Sequence, residues 1–174
     1  LQPDASFVLY ERAVQIALAA RSLDHIREES FSSGRVHIGV VSFASSATLD
    51  KPLAIARKEE VVKTIRGLAH TGGKASVVTG FERTLQELSM SRREDSHLLI
   101  LLVSDGHSED VWKRVQETSR KVHALPQSSL IALTVTPHHS IAELKHWTNE
   151  NTENLYSAHH PTDWLKRVGI ELKK

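Results

Sequence analysis

The residues that could do chemistry fall into a few groups. Gly72-Gly73-Lys74 suggests a phosphate loop, which needs Gly-x-x-x-x-Gly-Lys-Ser/Thr between a strand and a helix. Gly67 and Gly72 have that separation, but Gly73 stands where Lys belongs. Taking Lys74 instead puts Ala75 where a hydroxyl must reach Mg²⁺, and the segment follows a helical pattern. Nucleotide binding is not expected. Asp105, His107 and Ser108 have the residue types of a hydrolytic triad, yet residues so close on one loop seldom converge as a triad does. There is also no Gly-x-Ser-x-Gly elbow. His138-His139 and His159-His160 could bind Zn or Cu through imidazole; the simpler expectation is solvated loop histidines. Cysteine is absent, which excludes a disulfide framework and a thiolate metal site within the chain.

Two kinds of segment would position these groups. Phe7, Val8, Ala13, Val14, Ala17, Leu18 and Leu23 recur at helical spacing, with Asp4 or Ser6 placed to cap. Arg27 to Gly34 reads as a loop. Arg35 to Phe43 reads as a buried strand and Ala47 to Leu53 as a weaker one, set at an edge by Pro52. Helices are expected over Lys58–Leu68 and Val78–Leu88, separated by Gly72-Gly73. Ser91 to Ser96 is a charged turn, with Arg92, Arg93, Glu94 and Asp95 solvated. His97 to Val103 is the most apolar strand, and such a strand between helices implies a parallel sheet covered on both faces. A helix over Asp110–Leu125, a strand over Leu130–Val135, and a helix from Ser140 to Trp147 follow. Glu143 stands at the capping-box position of that helix. A strand at Leu155–Ser157 and a helix from Pro161 complete the pattern. Trp112, Trp147 and Trp164 fall in helical stretches and are expected to pack on the sheet. The order is that of a doubly wound, Rossmann-like α/β domain, with ligands outside the carboxyl ends of the strands.

The chain has 174 residues, 40% apolar and 25% charged, enough for one globular domain with a sizeable core. Lys plus Arg (22) nearly balances Asp plus Glu (21), so bulk charge argues for neither a nucleic-acid nor a membrane surface. Leu1 opens onto Gln2-Pro3-Asp4, which is no signal-peptide pattern.

Three stretches resemble the von Willebrand factor type A family in order: RVHIGVVSFAS (35–45), HTGGKASVVTGFERTLQEL (70–88) and LLILLVSDGHSED (98–110). The tail SIAELKHWTNENTENLYSA fits as that family's penultimate helix and last strand. The resemblance implies a divalent cation, commonly Mg²⁺, held above the sheet by hard oxygen donors. Those donors come from a D-x-S-x-S loop after a first strand, a loop Thr and an Asp after the fourth strand. Carried over, Asp105 takes the place of the last Asp and Ser76 that of the Thr. The alternatives are that Asp105 caps a turn or helix and that Ser76 bonds its own backbone. Asp4-Ala5-Ser6 resembles half of D-x-S-x-S, but Val8 stands where the last Ser belongs, so Asp4 is expected to be a helix cap. The family's central first strand and its D-x-S-x-S loop are then expected upstream of this chain, and metal binding by the chain alone is expected to be weak or absent.

The resemblance implies a non-catalytic protein-binding module of adhesion or extracellular-matrix type, cation-dependent when intact, with collagen or another matrix protein as ligand. An intracellular scaffold that needs no metal and a doubly wound enzyme are the alternatives. No membrane insertion is expected.

Overall fold

The computed structural model describes residues 16–69, 74–134, 139–157 and 161–174. The expected cap at Asp4 or Ser6 and the start of the first helix lie outside the described residues. Residues 16–22 form α1. They are followed by a 3₁₀ turn at Leu23–His25, α2 (Glu28–Ser32), β1 (His37–Phe43), β2 (Ala47–Ile55), α3 (Lys58–Arg66) and α4 (Val77–Ser91). Then come β3 (Leu98–Val103), α5 (Trp112–His123), β4 (Ser128–Thr134), α6 (Ile141–Trp147), β5 (Leu155–Ser157) and α7 (Pro161–Glu171). The expected loop at 27–34 contains α2, a single helical turn. It forms because Phe31 is drawn into the interior and Glu28 and Glu29 favour the positive end of the helix.

β3, β4 and β5 form a parallel sheet, paired in register from Leu98 with Ser128 and from Ala132 with Leu155. Period-two alternation sorts their side chains onto two faces. Ile100, Leu102, Leu130 and Ala132 pack with Val78 and Phe81 of α4, Val115 of α5 and Trp147 of α6. Leu99, Leu101, Ile131 and Leu133 pack on the other side with Leu18 of α1 and Trp164 and Val168 of α7. A doubly wound sheet covered on both faces is what near-continuous apolar strands require.

β1 and β2 form a separate antiparallel hairpin. Among the described residues no strand is hydrogen-bonded between β1 and β3. The consequence is visible in burial. Leu130 to Thr134 in β4, flanked by strands on both sides, are all buried, whereas in the more apolar β3 only Leu102 is. β1 is nowhere fully buried, which corrects the expectation of a buried strand there. Helices hold the hairpin beside the parallel sheet. Phe43 joins the α4 side of the main core, and Ile38 and Val40 pack with Ala19 of α1, Leu23 of the 3₁₀ turn, and Val61 and Ile65 of α3.

Arg93 is exposed, as expected, and Arg92 is half-buried, yet both tie segments together. Arg92 donates to the carbonyls of Ser96 and Pro126, and Arg93 to those of Gly34 and Arg35 just before β1. Carbonyls at strand entries have no ladder partner, and a planar five-donor guanidinium can satisfy several at once.

At the amino ends of β3 and β4 lies a buried carboxylate, Glu171. It accepts from Ser129 Oγ at 2.8 Å and from Lys174 Nζ at 2.7 Å, and pairs with Arg167 at 2.9 Å. Burial alone would push its pKa up. The bonds from Lys174 and Ser129 and the charge of Arg167 outweigh that and hold it below the ordinary 4.5. A carboxylate lowered in the folded state adds stability above its ordinary pKa, and this is lost as pH falls through the folded value. Glu171→Gln is expected to cost about 1–3 kcal/mol near neutral pH. In thermal melts the gap between the two proteins should close below about pH 4.5, in the usual carboxyl range; a constant gap would refute this assignment.

Candidate functional site

The carboxyl ends of the parallel strands carry the candidate site. β3 ends at Val103, and the ladder continues one step as Ser104 N donates to Leu133 O at 3.1 Å. The chain then turns sharply. Ser104 Oγ accepts from Gly106 N, and Asp105 Oδ1 accepts from His107 N at 2.9 Å. Gly106 sits at φ +72°, which residues with a Cβ rarely adopt. The Asp105 carbonyl accepts from Ser140 N at 2.9 Å, fixing this loop to the start of α6. Asp105 thus closes a turn with one carboxylate oxygen; its other oxygen has no bonded partner among the described residues.

Ser76 lies one loop away, as the N-cap of α4. Its Oγ accepts from Thr79 N at 3.1 Å, lies 2.7 Å from Thr79 Oγ1, and donates to Asp110 Oδ1 at 2.6 Å. The other oxygen of Asp110 accepts from Val78 N at 3.0 Å. Ser76 and Asp110 together satisfy amides that the first helical turn leaves without partners, and Asp110 adds negative charge at the positive end of α4. Two further links zip these loops together: Glu109 N to Ala75 O at 2.9 Å and Lys74 to Glu109 at 2.6 Å. Asp110 does not begin the next helix, as expected from sequence. α5 starts at Trp112, and Asp110 serves a helix 32 residues earlier. Ser76→Ala is expected to cost about 1–2 kcal/mol, the usual value of an N-cap. Amide exchange in the first turn of α4 should rise; unchanged protection would argue that Asp110 alone holds the cap.

These contacts bear on cation binding. The Asp105 oxygen that has no partner among the described residues suits a hard cation. The Ser76 hydroxyl already engages Asp110, Thr79 N and Thr79 Oγ1, so it could ligate only by giving up one of them. Two hydroxyls at this end, Ser108 Oγ and Thr134 Oγ1, are buried without a hydrogen-bond partner among the described residues. Among those residues, no three His, Cys, Asp or Glu side chains converge as a metal group would.

The other motifs are placed as follows. Lys74 is engaged by Glu109, and Gly72 and Gly73 lie outside the described residues. No hydrogen bond joins the side chains of His107 and Ser108. His138, His159 and His160 are not among the described residues. The capping box at Ser140 is not formed. Its side chain makes no cap bond, and Glu143 turns inward to accept from Trp147 Nε1 at 3.2 Å and Ser108 N at 3.4 Å. Trp147 and Trp164 are fully buried as expected, whereas Trp112 is 48% exposed. Trp112 is the first residue of α5, and its ring leans on His146 of α6.

No described helix is long and apolar enough to cross a membrane. Comparison with known proteins supports the fold. The chain is 28% identical over 102 residues to mouse von Willebrand factor A domain-containing protein 2, a match covering 58% of this chain and 12% of that protein. It is similar in structure to proximal thread matrix protein 1 of the mussel byssus, with TM-score 0.78 and 18% identity over 93% of this chain and 43% of that one. A form of that protein is described with zinc in its metal-site motif. The manganese-loaded TRAP protein of Plasmodium vivax matches with TM-score 0.69 and 15% identity, over 89% of this chain and 62% of that one. The von Willebrand factor type A model matches residues 15–167, a family that generally mediates protein–protein interaction and adhesion. The ordered strands, the Ser104-Asp105-Gly106 turn and this match lead to one statement: the chain belongs to the von Willebrand factor type A domain family.

Proposed function

We propose that the 174 residues form one non-catalytic protein-binding domain of extracellular adhesion or matrix type. Its ligand, collagen or another matrix protein, docks at the carboxyl ends of the parallel strands. In the intact domain a divalent cation such as Mg²⁺ would be held there in part by Asp105, with Ser76 as a second oxygen. The observation that carries this reading is Asp105 itself. Its backbone is pinned by Ser140, one carboxylate oxygen is committed to the turn, and the other has no bonded partner among the described residues.

One charged ligand and one occupied hydroxyl are a weak set for Mg²⁺, which demands near-octahedral geometry. The test compares this chain with a form in which a strand ending in D-x-S-x-S is fused ahead of residue 1. Calorimetric Mg²⁺ titration should show at least tenfold tighter binding by the fused form. Collagen binding by that form should be lost in EDTA and in Asp105→Ala. Equal, tight Mg²⁺ binding by both forms, or chelator-resistant collagen binding, would overturn the reading. A second reading, an intracellular scaffold without metal, draws support from the engagement of Ser76 by Asp110 and Thr79. It expects Asp105→Ala to leave partner binding intact.

A further inference from the structure

The outer surface of α5 and α6 shows groups that neither the core nor the Asp105 turn uses. Trp112 opens α5 and Ile141 opens α6, each 48% exposed, and Val111 just before α5 is 68% exposed. Apolar residues scattered singly over a surface need no explanation, but a contiguous patch does. Trp112, Ile141, Ala142, Lys145, His146 and Glu150 line one cleft of about 460 Å³. The Trp112 ring leans on the His146 imidazole with centroids 5.1 Å apart. His146 Nε2 is buried and has no hydrogen-bond partner among the described residues.

The charges nearby are mostly positive, with Glu117 and the cleft residue Glu150 as the exceptions. α5 presents Lys113, Arg114, Arg120 and Lys121 to solvent against Glu117, in a chain whose formal net charge is only +1. Glu82 engages Arg114, while Arg120, Lys121 and Lys145 form no ion pair among the described residues. Helical spacing places two of these cations. Arg120 is two i+4 steps from Trp112 along one ridge of α5, and Lys145 is one such step from Ile141 on α6. Each helix thus sets a cation on the same ridge as its exposed apolar group.

We propose that this α5–α6 surface binds an acidic protein segment carrying a bulky apolar side chain. The apolar group lies against Trp112 and Ile141, and flanking carboxylates meet Lys145 and Arg120. Exposed Trp and Arg are the residue types that most often dominate protein interfaces. The near-neutral chain and the apolar centre favour a protein partner over a nucleic acid or an anionic bilayer. The proposal rests on the protein-binding reading above and names a second surface for it, one that uses neither the Asp105 carboxylate nor Ser76.

The probe is an acetylated hexapeptide with a Leu-Phe pair between two Glu on each side, titrated into the ¹⁵N-labelled chain. Chemical-shift changes are expected at the Trp112 indole and along α5 and α6. Replacing the four Glu by Gln, or Leu-Phe by Ala-Ala, should weaken binding at least tenfold. So should Trp112→Ala and the double change Arg120→Glu, Lys145→Glu. The charge reversals lie on the surface, so they keep the test valid if Trp112→Ala disturbs folding. Binding should survive EDTA and Asp105→Ala, whatever becomes of the cation-dependent site. Shifts elsewhere, or affinity indifferent to these changes, would overturn the proposal. So would phosphatidylserine vesicles engaging the same residues while the peptide does not.

Discussion

Trp147→Ala is expected to destabilise the fold by about 3–5 kcal/mol, the range for removing a large aromatic side chain from a core. Trp147 is fully buried, and its ring stacks on Phe81 of α4 with centroids 4.5 Å apart. It therefore joins α6 to α4 across the face of the sheet. Its Nε1 also donates to Glu143, whose side chain is nearly buried. Removing the indole leaves a cavity and deprives a buried carboxylate of a donor, and the two costs act together. Chemical denaturation should show a lower midpoint with little change in slope. Trp147→Phe separates the contributions. It keeps most of the stacking area and loses the hydrogen bond, so it should cost less than half as much. Equal losses for the two variants would mean that the Glu143 contact, and not packing, dominates.

Gly106→Ala is expected to cost about 2–4 kcal/mol, from strain and overpacking combined. At φ +72° an alanine is strained in any surroundings, and here the surroundings are closed. An added Cβ would stand 2.6 Å from the Ser140 carbonyl oxygen and 2.8 Å from Leu144 Cγ. The first contact is a backbone oxygen that accepts from Leu144 N at the start of α6, and the N–H of the same residue donates to the Asp105 carbonyl, so it cannot yield without moving the turn. Gly106→Asn tests the cause. Asparagine tolerates positive φ better than alanine does, so a conformational penalty alone would be largely relieved. The steric contact predicts that it will not be. Both variants should also shift Asp105, and cation-dependent binding by the fused form should fall more than stability alone explains. Wild-type stability in either variant would refute the geometry of this turn.

Most of the elements were legible in the sequence because their causes are local. Leu98 to Val103 is apolar at every position, which only a strand covered on both faces satisfies. The stripe Val61, Val62, Ile65 read directly as one face of α3. Gly106 after Asp105 marks a turn by its own chemistry, whereas Ser76 read only as a loop hydroxyl and its place as the α4 N-cap came from the structure. The Asp105 turn was therefore visible before any coordinates, together with its two readings.

Other features have causes distant in the chain. Asp110 looked like the start of α5 because an acid favours any helix N-terminus; that it caps α4 depends on the two loops meeting above the sheet. Glu143 had the spacing of a capping box, but the indole of Trp147 and the amide of Ser108 offered it a buried site instead. Arg92 and Arg93 read only as turn charges; their bonds to carbonyls at the strand entries depend on segments distant in the chain. Nor could helical periodicity tell Trp112 from Trp147 and Trp164, since it shows that a residue lies on a helix but not what packs against it.

The sequence by itself determined the family, the alternation of strands and helices, and the turn that holds Asp105, because pattern and turn chemistry act within a few residues. Tertiary structure alone decided that Ser76 is shared with Asp110 and that Trp112 is half exposed. Each depends on which segments meet in space, and hydrogen bonding and burial are settled only there.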